Sequence, residues 1–156
     1  MKSIIGIGEY AVSNYSVDTI KTFALGSCVA VTAYSPVKHR GAMIHVALPR
    51  PATSEDGFAR PYYYATTGIP LMLDRLYRDY SCKREELQIQ IFGGAESIGK
   101  KDVFHIGRRN IEAVYETLNS LSLKIKKADV GGKVSRTIEL DTNTGFVKIS
   151  TLPIII

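Results

Sequence analysis

Two residues that could carry covalent chemistry lie in one stretch of the chain, residues 22–49. Cys28 directly follows the pair Gly26-Ser27, and His45 lies near the far end of the same stretch. A histidine close to a cysteine can take the thiol proton and later give it to a leaving group. The stretch is therefore a candidate site for thiolate chemistry.

The segments around these two residues are predicted to bring them together. Residues 29–34 and 42–48 have the composition of two strands, and the short loop between them predicts antiparallel pairing. If Cys28 lies opposite Ala47, then His45 is a diagonal neighbour on the same face. A slip of one residue would turn the two side chains to opposite faces, and the sequence does not choose between these registers.

Structural roles compete with this hypothesis. A cysteine in a strand is often a small buried apolar residue, and a buried histidine is often a satisfied core residue. Gly26 favours chemistry at Cys28, because glycine lets the backbone turn sharply or approach a substrate closely. Cys82 has no such turn and no paired histidine, so we interpret it as incidental. His105 is a second candidate base, although nothing in the sequence ties it to Cys28.

The remaining pattern predicts an α+β fold. Strands are predicted at residues 3–12, 20–23, 87–92 and 124–129, a hairpin at 137–140 and 146–152, helices at 62–80 and 110–120, and a loop at 50–60 that borders the site. Gly68 and Pro70 predict a kink or a late start in the first helix. Paired strands with two helices favour a mixed, mostly antiparallel β-sandwich flanked by helices, in one domain over residues 1–156.

The composition narrows the class of protein. The net charge is +5, but the basic residues are scattered apart from Lys100-Lys101 and residues 124–127. We therefore expect a basic surface that faces an acidic protein partner, and no nucleic acid. No apolar run could cross a bilayer, and the N-terminus is too soon interrupted for a signal peptide, so we expect a cytoplasmic protein without membrane insertion. Two distant cysteines predict neither a disulfide framework nor a zinc site.

Several runs of the sequence resemble one family. The runs are Leu25-Gly26-Ser27-Cys28, His45-Val46-Ala47-Leu48-Pro49, Phe92-Gly93-Gly94-Ala95, Ile106-Gly107-Arg108-Arg109-Asn110 and Asp129-Val130-Gly131-Gly132, with Arg136 and Thr144-Gly145 after them. In this order they resemble the CheD family of chemotaxis proteins, the chemoreceptor glutamine deamidases. The resemblance covers nearly the whole chain.

The resemblance implies roles for particular residues. Cys28 would be the nucleophile, His45 the general base and acid, and Thr22 the third group that orients the imidazole. The turn at Gly26 and Ser27 would supply backbone N–H groups, including that of Cys28, to an oxyanion. The resemblance implies no metal and no cofactor, and a sandwich similar to the catalytic domain of cytotoxic necrotizing factors.

The function implied by the resemblance is hydrolysis of glutamine side chains on methyl-accepting chemotaxis proteins, which regulates chemotaxis. Hydrolysis of receptor methyl esters would use the same residues. One alternative is a mainly non-enzymatic partner of a CheC-type phosphatase, and another is a different cysteine hydrolase or a transglutaminase. We expect the protein to be a monomer.

Overall fold

The computed structural model describes residues 1–14, 17–96 and 104–154, so the Lys100-Lys101 pair lies outside the described residues. Strands and helices follow one another in the order β1 Lys2–Ile4, β2 Glu9–Val12, β3 Thr19–Leu25, β4 Val29–Ser35, β5 Arg40–Val46, α1 Ser54–Ala59, α2 Ala65–Tyr80, β6 Gln88–Gly93, α3 Ile106–Ser120, β7 Ile125–Val130, β8 Val134–Asp141 and β9 Val147–Pro153. Within these ranges no helix is both long and apolar enough to cross a membrane.

The strands form two sheets. Sheet A has the order β1-β3-β8-β9, and sheet B has the order β2-β5-β4-β6-β7. Only the β1–β3 and β6–β7 pairs are parallel, and the other pairs are antiparallel. The mixed, mostly antiparallel α+β fold predicted from the sequence is therefore confirmed. The specific likeness to cytotoxic necrotizing factors stays a prediction.

Two apolar layers hold the molecule together. The layer between the sheets contains Ile5, Ile20, Leu25, Ala30, Met43, Phe92, Ile138, Leu140 and Val147. The layer between sheet B and the helices is larger and includes residues of β4, β5, β6, α2 and α3. Sheet B is therefore covered on both faces, which explains why all seven residues of the central strand β4 are buried.

The N-terminal segment differs from the prediction. Residues 3–12 do not form one strand, because β1 belongs to sheet A and β2 to sheet B. The chain crosses between the sheets at Gly6-Ile7-Gly8, where Gly8 has a φ of +74° that glycine adopts without strain. The glycines therefore mark a change of sheet rather than a close approach within one strand.

The segment predicted as a loop at residues 50–60 contains the short helix α1. Thr53 caps this helix, since its hydroxyl oxygen accepts a hydrogen bond from the backbone N–H of Asp56 at 3.1 Å. The prediction of a plain loop was wrong because six residues are too few to show helical periodicity. A 3₁₀ turn, Pro61–Tyr63, follows, so α2 begins at Ala65, three residues after the predicted start. Gly68 and Pro70 lie inside the helix and do not delay its start.

Helix α3 begins at Ile106, four residues before the predicted start. The apolar spacing predicts a core face of Ile111, Val114, Tyr115, Leu118 and Leu121. Val114 and Leu118 are buried and Ile111 and Leu121 pack against the core, but Tyr115 is 40% exposed. The residues that are buried are Gly107, Asn110, Ala113, Val114, Thr117 and Leu118. Four of these six residues are small or polar, so a search for large apolar residues found only part of the buried face.

Candidate active site

The pairing of β4 with β5 places Cys28 and His45 on one face of sheet B. Val29 pairs with Val46 and Ala30 with His45, and the same register continued by one residue puts Cys28 across from Ala47. Cys28 packs against the layer between the sheets. The structure thus selects the register in which the thiol and the imidazole are diagonal neighbours.

His45 is held from the opposite sheet by Thr22. The Thr22 hydroxyl lies 2.7 Å from His45 Nδ1 and donates a hydrogen bond to the carbonyl of Ile5 at 2.9 Å. Both side chains are buried, with 0% and 3% of their surface exposed. The hydrogen bond therefore spans the interior of the sandwich and joins β3 to β5.

These contacts fix the tautomer of the imidazole. The carbonyl of Ile5 can only accept, so the single hydroxyl proton of Thr22 is used there. His45 Nδ1 must then carry a proton and donate to the Thr22 oxygen. Nε2 is left as the bare nitrogen, and this buried atom has no partner among the described residues. A bare Nε2 is the form of histidine that can act as a base.

Burial keeps both groups neutral at rest. It lowers the pKa of His45 to about 4 and raises the pKa of the Cys28 thiol. No hydrogen bond joins the Cys28 sulfur to His45 within the described residues. The two groups are therefore a neutral thiol and a neutral imidazole on one face of the sheet rather than a preformed ion pair.

The turn that precedes Cys28 is fixed by its carbonyl groups. The carbonyl of Gly26 accepts from the N–H of Ala95 at 2.8 Å, and the carbonyl of Cys28 accepts from the N–H of Gly94 at 2.8 Å. The carbonyl of Ser27 accepts from the Asn110 side chain at 2.9 Å. In a trans peptide the N–H points opposite to the C=O. The N–H groups of Ser27 and Cys28 thus point away from these partners, and neither donates to a backbone carbonyl within the described residues.

Two glycines near the turn have different roles. Gly93 has a φ of +106°, and a Cβ there would lie 2.2 Å from the carbonyl oxygen of Cys28, so only glycine fits. Gly26 needs no left-handed conformation, and a Cβ there would meet nothing within 4 Å. The chain bends at Gly26 and Ser27, in a backbone conformation that does not require glycine at position 26. The left-handed residue of this segment is Ala24, with a φ of 51°.

Asn110 and Arg136 support the site, and in the sequence they stand out only as parts of the runs that resemble the family. Asn110 donates to the carbonyls of Ser27 and Ala47, at 2.9 and 3.0 Å. Arg136 is 4% exposed and donates to Asp129 and to the carbonyls of Gly93 and Gly131. Asn110 could have been found in the sequence as a polar residue on the buried face of a helix, but only if that face had been predicted correctly.

The other candidates lie apart from this site. Cys82 belongs to the layer between sheet B and the helices, on the opposite face of the sheet from Cys28, and burial raises its pKa. His105 is exposed at the start of α3 and makes no hydrogen bond to Cys28 or His45. Over the described ranges no three His, Cys, Asp or Glu side chains gather as metal ligands.

Comparison with known proteins decides the family. The family model described as CheD chemotactic sensory transduction matches residues 47–151. This chain belongs to the CheD family. A probable chemoreceptor glutamine deamidase CheD of Syntrophotalea carbinolica is 41% identical over 94% of this chain and 92% of that protein. The chemoreceptor glutamine deamidase CheD of Thermotoga maritima is 40% identical over 93% of this chain and 88% of that protein.

The CheD relatives align with nearly the whole chain, whereas the family model begins only after His45. Among solved structures, the Bacillus licheniformis hypothetical protein YfiH overlays with a TM-score of 0.41 at 12% identity, covering 74% of this chain and 50% of that one. Membership of the CheD family thus rests on the sequence matches. The roles of Thr22, Cys28 and His45 stay predictions.

Proposed function

We propose that this CheD-family chain is a chemoreceptor glutamine deamidase that works through a thioester on Cys28. The names of its relatives support the reaction and the substrate class. The observation that carries the proposal is the hydrogen bond from His45 Nδ1 to Thr22, which leaves Nε2 bare on the face shared with Cys28.

The first half of the reaction forms the thioester. The Cys28 proton moves to His45 Nε2 as the sulfur attacks the side-chain amide carbon of a receptor glutamine. The negative charge that develops on the amide oxygen is stabilised by the N–H groups of Ser27 and Cys28. His45 then gives its proton to the departing nitrogen, the C–N bond breaks, and ammonia leaves.

The second half hydrolyses the thioester. Water attacks the carbonyl carbon while His45 Nε2 takes a water proton, and the same N–H groups stabilise the second oxyanion. The C–S bond then breaks and the thiol recovers its proton, which leaves glutamate on the receptor. The same steps would hydrolyse a receptor methyl ester with methanol in place of ammonia, whereas a transglutaminase would use an amine in place of water.

A non-enzymatic partner of a CheC-type phosphatase would have no need of an imidazole with a fixed tautomer. The Thr22–His45 hydrogen bond therefore favours the enzyme. Binding of such a phosphatase stays a prediction, and so does the monomeric state. If the Cys28→Ala variant still bound the phosphatase but no longer deamidated the receptor, one chain would carry both roles.

The test is mass spectrometry of a chemoreceptor cytoplasmic fragment incubated with this protein in water enriched in ¹⁸O. Hydrolysis of a thioester adds one solvent oxygen, so a modified glutamine gains about three mass units instead of about one in ordinary water. We expect this gain with the wild type and with Cys82→Ala. We expect none with Cys28→Ala.

Three results would contradict parts of this proposal. Deamidation by Cys28→Ala would remove Cys28 from the mechanism, and circular dichroism of that variant would show whether the fold is retained. Loss of activity in Cys82→Ala would contradict the assignment of the chemistry to Cys28 alone. A receptor fragment unchanged by folded wild-type protein would contradict the proposed function.

A further inference from the structure

Asn110 is a fully buried polar residue that touches both halves of the site. Its Nδ2 donates to the carbonyl of Ser27 in the nucleophile turn and to the carbonyl of Ala47, two residues after His45. It lies on α3, one turn from Gly107, where a Cβ would come within 2.3 Å of the Ala95 carbonyl oxygen. That glycine lets the helix approach the turn closely enough for the side chain to reach it.

The orientation of this amide follows from its partners. Both partners are carbonyl oxygens, which only accept, so the NH₂ group must face them. The Oδ1 atom is then buried without a partner among the described residues. An unpaired buried acceptor is unfavourable, so packing alone does not account for asparagine at this position. What the side chain contributes is a pair of donors at a fixed place.

The bond to Ser27 controls one peptide plane. The Ser27 carbonyl and the Cys28 N–H belong to the same peptide group and point in opposite directions. Rotation of this peptide would turn the carbonyl oxygen toward the substrate and the N–H away from it. The neighbouring carbonyls of Gly26 and Cys28 are held by backbone N–H groups, whereas that of Ser27 is held by the Asn110 side chain. A single substitution can therefore release this plane, whereas the Ala47–Leu48 peptide, whose carbonyl Asn110 also holds, keeps the hydrogen bond from the Leu48 N–H to the Tyr63 carbonyl.

We infer that Asn110 is a positioning residue that locks the Ser27–Cys28 peptide with its N–H directed at the oxyanion. The inference rests on the proposed function, because it assigns Asn110 a part in the same acyl transfer. Asn110 touches neither the sulfur nor the imidazole. It acts on the transition state through the backbone of the nucleophile.

The test separates acyl transfer from reactivity of the thiol. Deamidation develops charge on an oxygen, whereas alkylation of Cys28 by iodoacetamide does not, so only the first reaction needs the N–H of Cys28. For Asn110→Ala we expect kcat for receptor deamidation to fall about 100-fold with KM within about 3-fold of wild type. The alkylation rate of Cys28 should stay within about 3-fold of wild type in a Cys82→Ala background.

Thr117→Ala is the matched control. Thr117 lies two turns further along the same buried face of α3, and within the described part of the chain its hydroxyl bonds only to the Ala113 carbonyl. Its removal should leave kcat unchanged. If Asn110→Ala does not fold, Asn110→Asp has nearly the same shape, cannot donate twice to the two carbonyls, and is expected to show the same loss of kcat.

Two results would overturn the inference while leaving the proposed function intact. One is a folded Asn110→Ala protein with wild-type kcat, in a preparation where Cys28→Ala is inactive. The other is a fall in alkylation that matches the fall in kcat, which would mean that Asn110 supports the thiol and not the peptide plane. Absence of Cys28-dependent deamidation in the wild type would overturn both proposals.

Discussion

At the scale of single residues, the site depends on where a few protons are placed. Thr22 uses its only proton on Ile5 and so accepts from His45, which leaves the histidine bare at Nε2. A carboxylate in that position would stabilise a positively charged imidazole, whereas a hydroxyl only orients it. The neutral form of His45, with its pKa lowered to about 4, agrees with that role.

Thr22→Val should separate orientation from packing. Valine keeps the shape of the side chain but leaves His45 Nδ1 and the Ile5 carbonyl without a partner. We expect kcat to fall about 10-fold or more, and the free energy of unfolding to fall by about 1–3 kcal/mol. Steady-state deamidation and urea unfolding measure the two effects. Thr22→Ser keeps the hydroxyl and should retain most of the activity, whereas full activity in Thr22→Val would contradict an orienting role.

The sequence was enough to predict Cys28 and His45 as candidate site residues, but not the contacts that hold them in place. Cys28 and His45 stand out by type, and two strands with a short loop have few ways to pair. The contact of Thr22 with His45 depends on how two sheets pack, which no local pattern encodes, so it was predicted through the family resemblance and not from the residues alone. The inferred role of Asn110 could not be predicted for a similar reason, because it depends on which backbone the helix approaches.

At the scale of structural elements, β4 and β6 pair next to Cys28 through a glycine, Gly93. The carbonyl of Cys28 occupies the space where a side chain at Gly93 would stand. The pairing of Val29 with Gly93 therefore requires glycine at the end of β6. The Phe92-Gly93-Gly94-Ala95 run in the sequence gave no indication that Gly93 faces the backbone of Cys28.

Gly93→Ala and Gly26→Ala form a matched pair that tests whether glycine is required at position 93 and not at position 26. Gly93→Ala should lower the free energy of unfolding by more than about 2 kcal/mol, because it combines a clash with a positive φ. Gly26→Ala should change it by less than about 1 kcal/mol, because its Cβ meets nothing. Urea titration of both variants measures the difference. Equal destabilisation would mean that the turn is packed differently from this description.

At the scale of the whole molecule, the buried histidine makes stability depend on pH. In the unfolded chain His45 has its ordinary pKa of 6.5, and in the folded chain its pKa is about 4. Between these values the unfolded state binds a proton that the folded state does not, so stability falls as the pH drops from about 6.5 to about 4. The full loss attributable to this residue is at most about 3 kcal/mol.

His45→Asn should remove that part of the acid sensitivity. Asparagine does not titrate. Between pH 7 and pH 4.5 the free energy of unfolding of the variant should therefore fall by roughly 2 kcal/mol less than that of the wild type. Urea unfolding at the two pH values gives the comparison. Parallel losses in the two proteins would show that other groups, and not His45, govern the acid sensitivity.

The hydrogen bond that spans the sandwich also has a consequence for how the protein is made. Synthesis from the N-terminus delivers Thr22, Cys28 and His45 early, but β3 pairs with β8, whose residues come more than a hundred positions after Thr22. A nascent chain therefore carries every proposed catalytic side chain long before it has a site. In the proposed mechanism the thiol is therefore activated only after β8 has emerged and closed the sandwich.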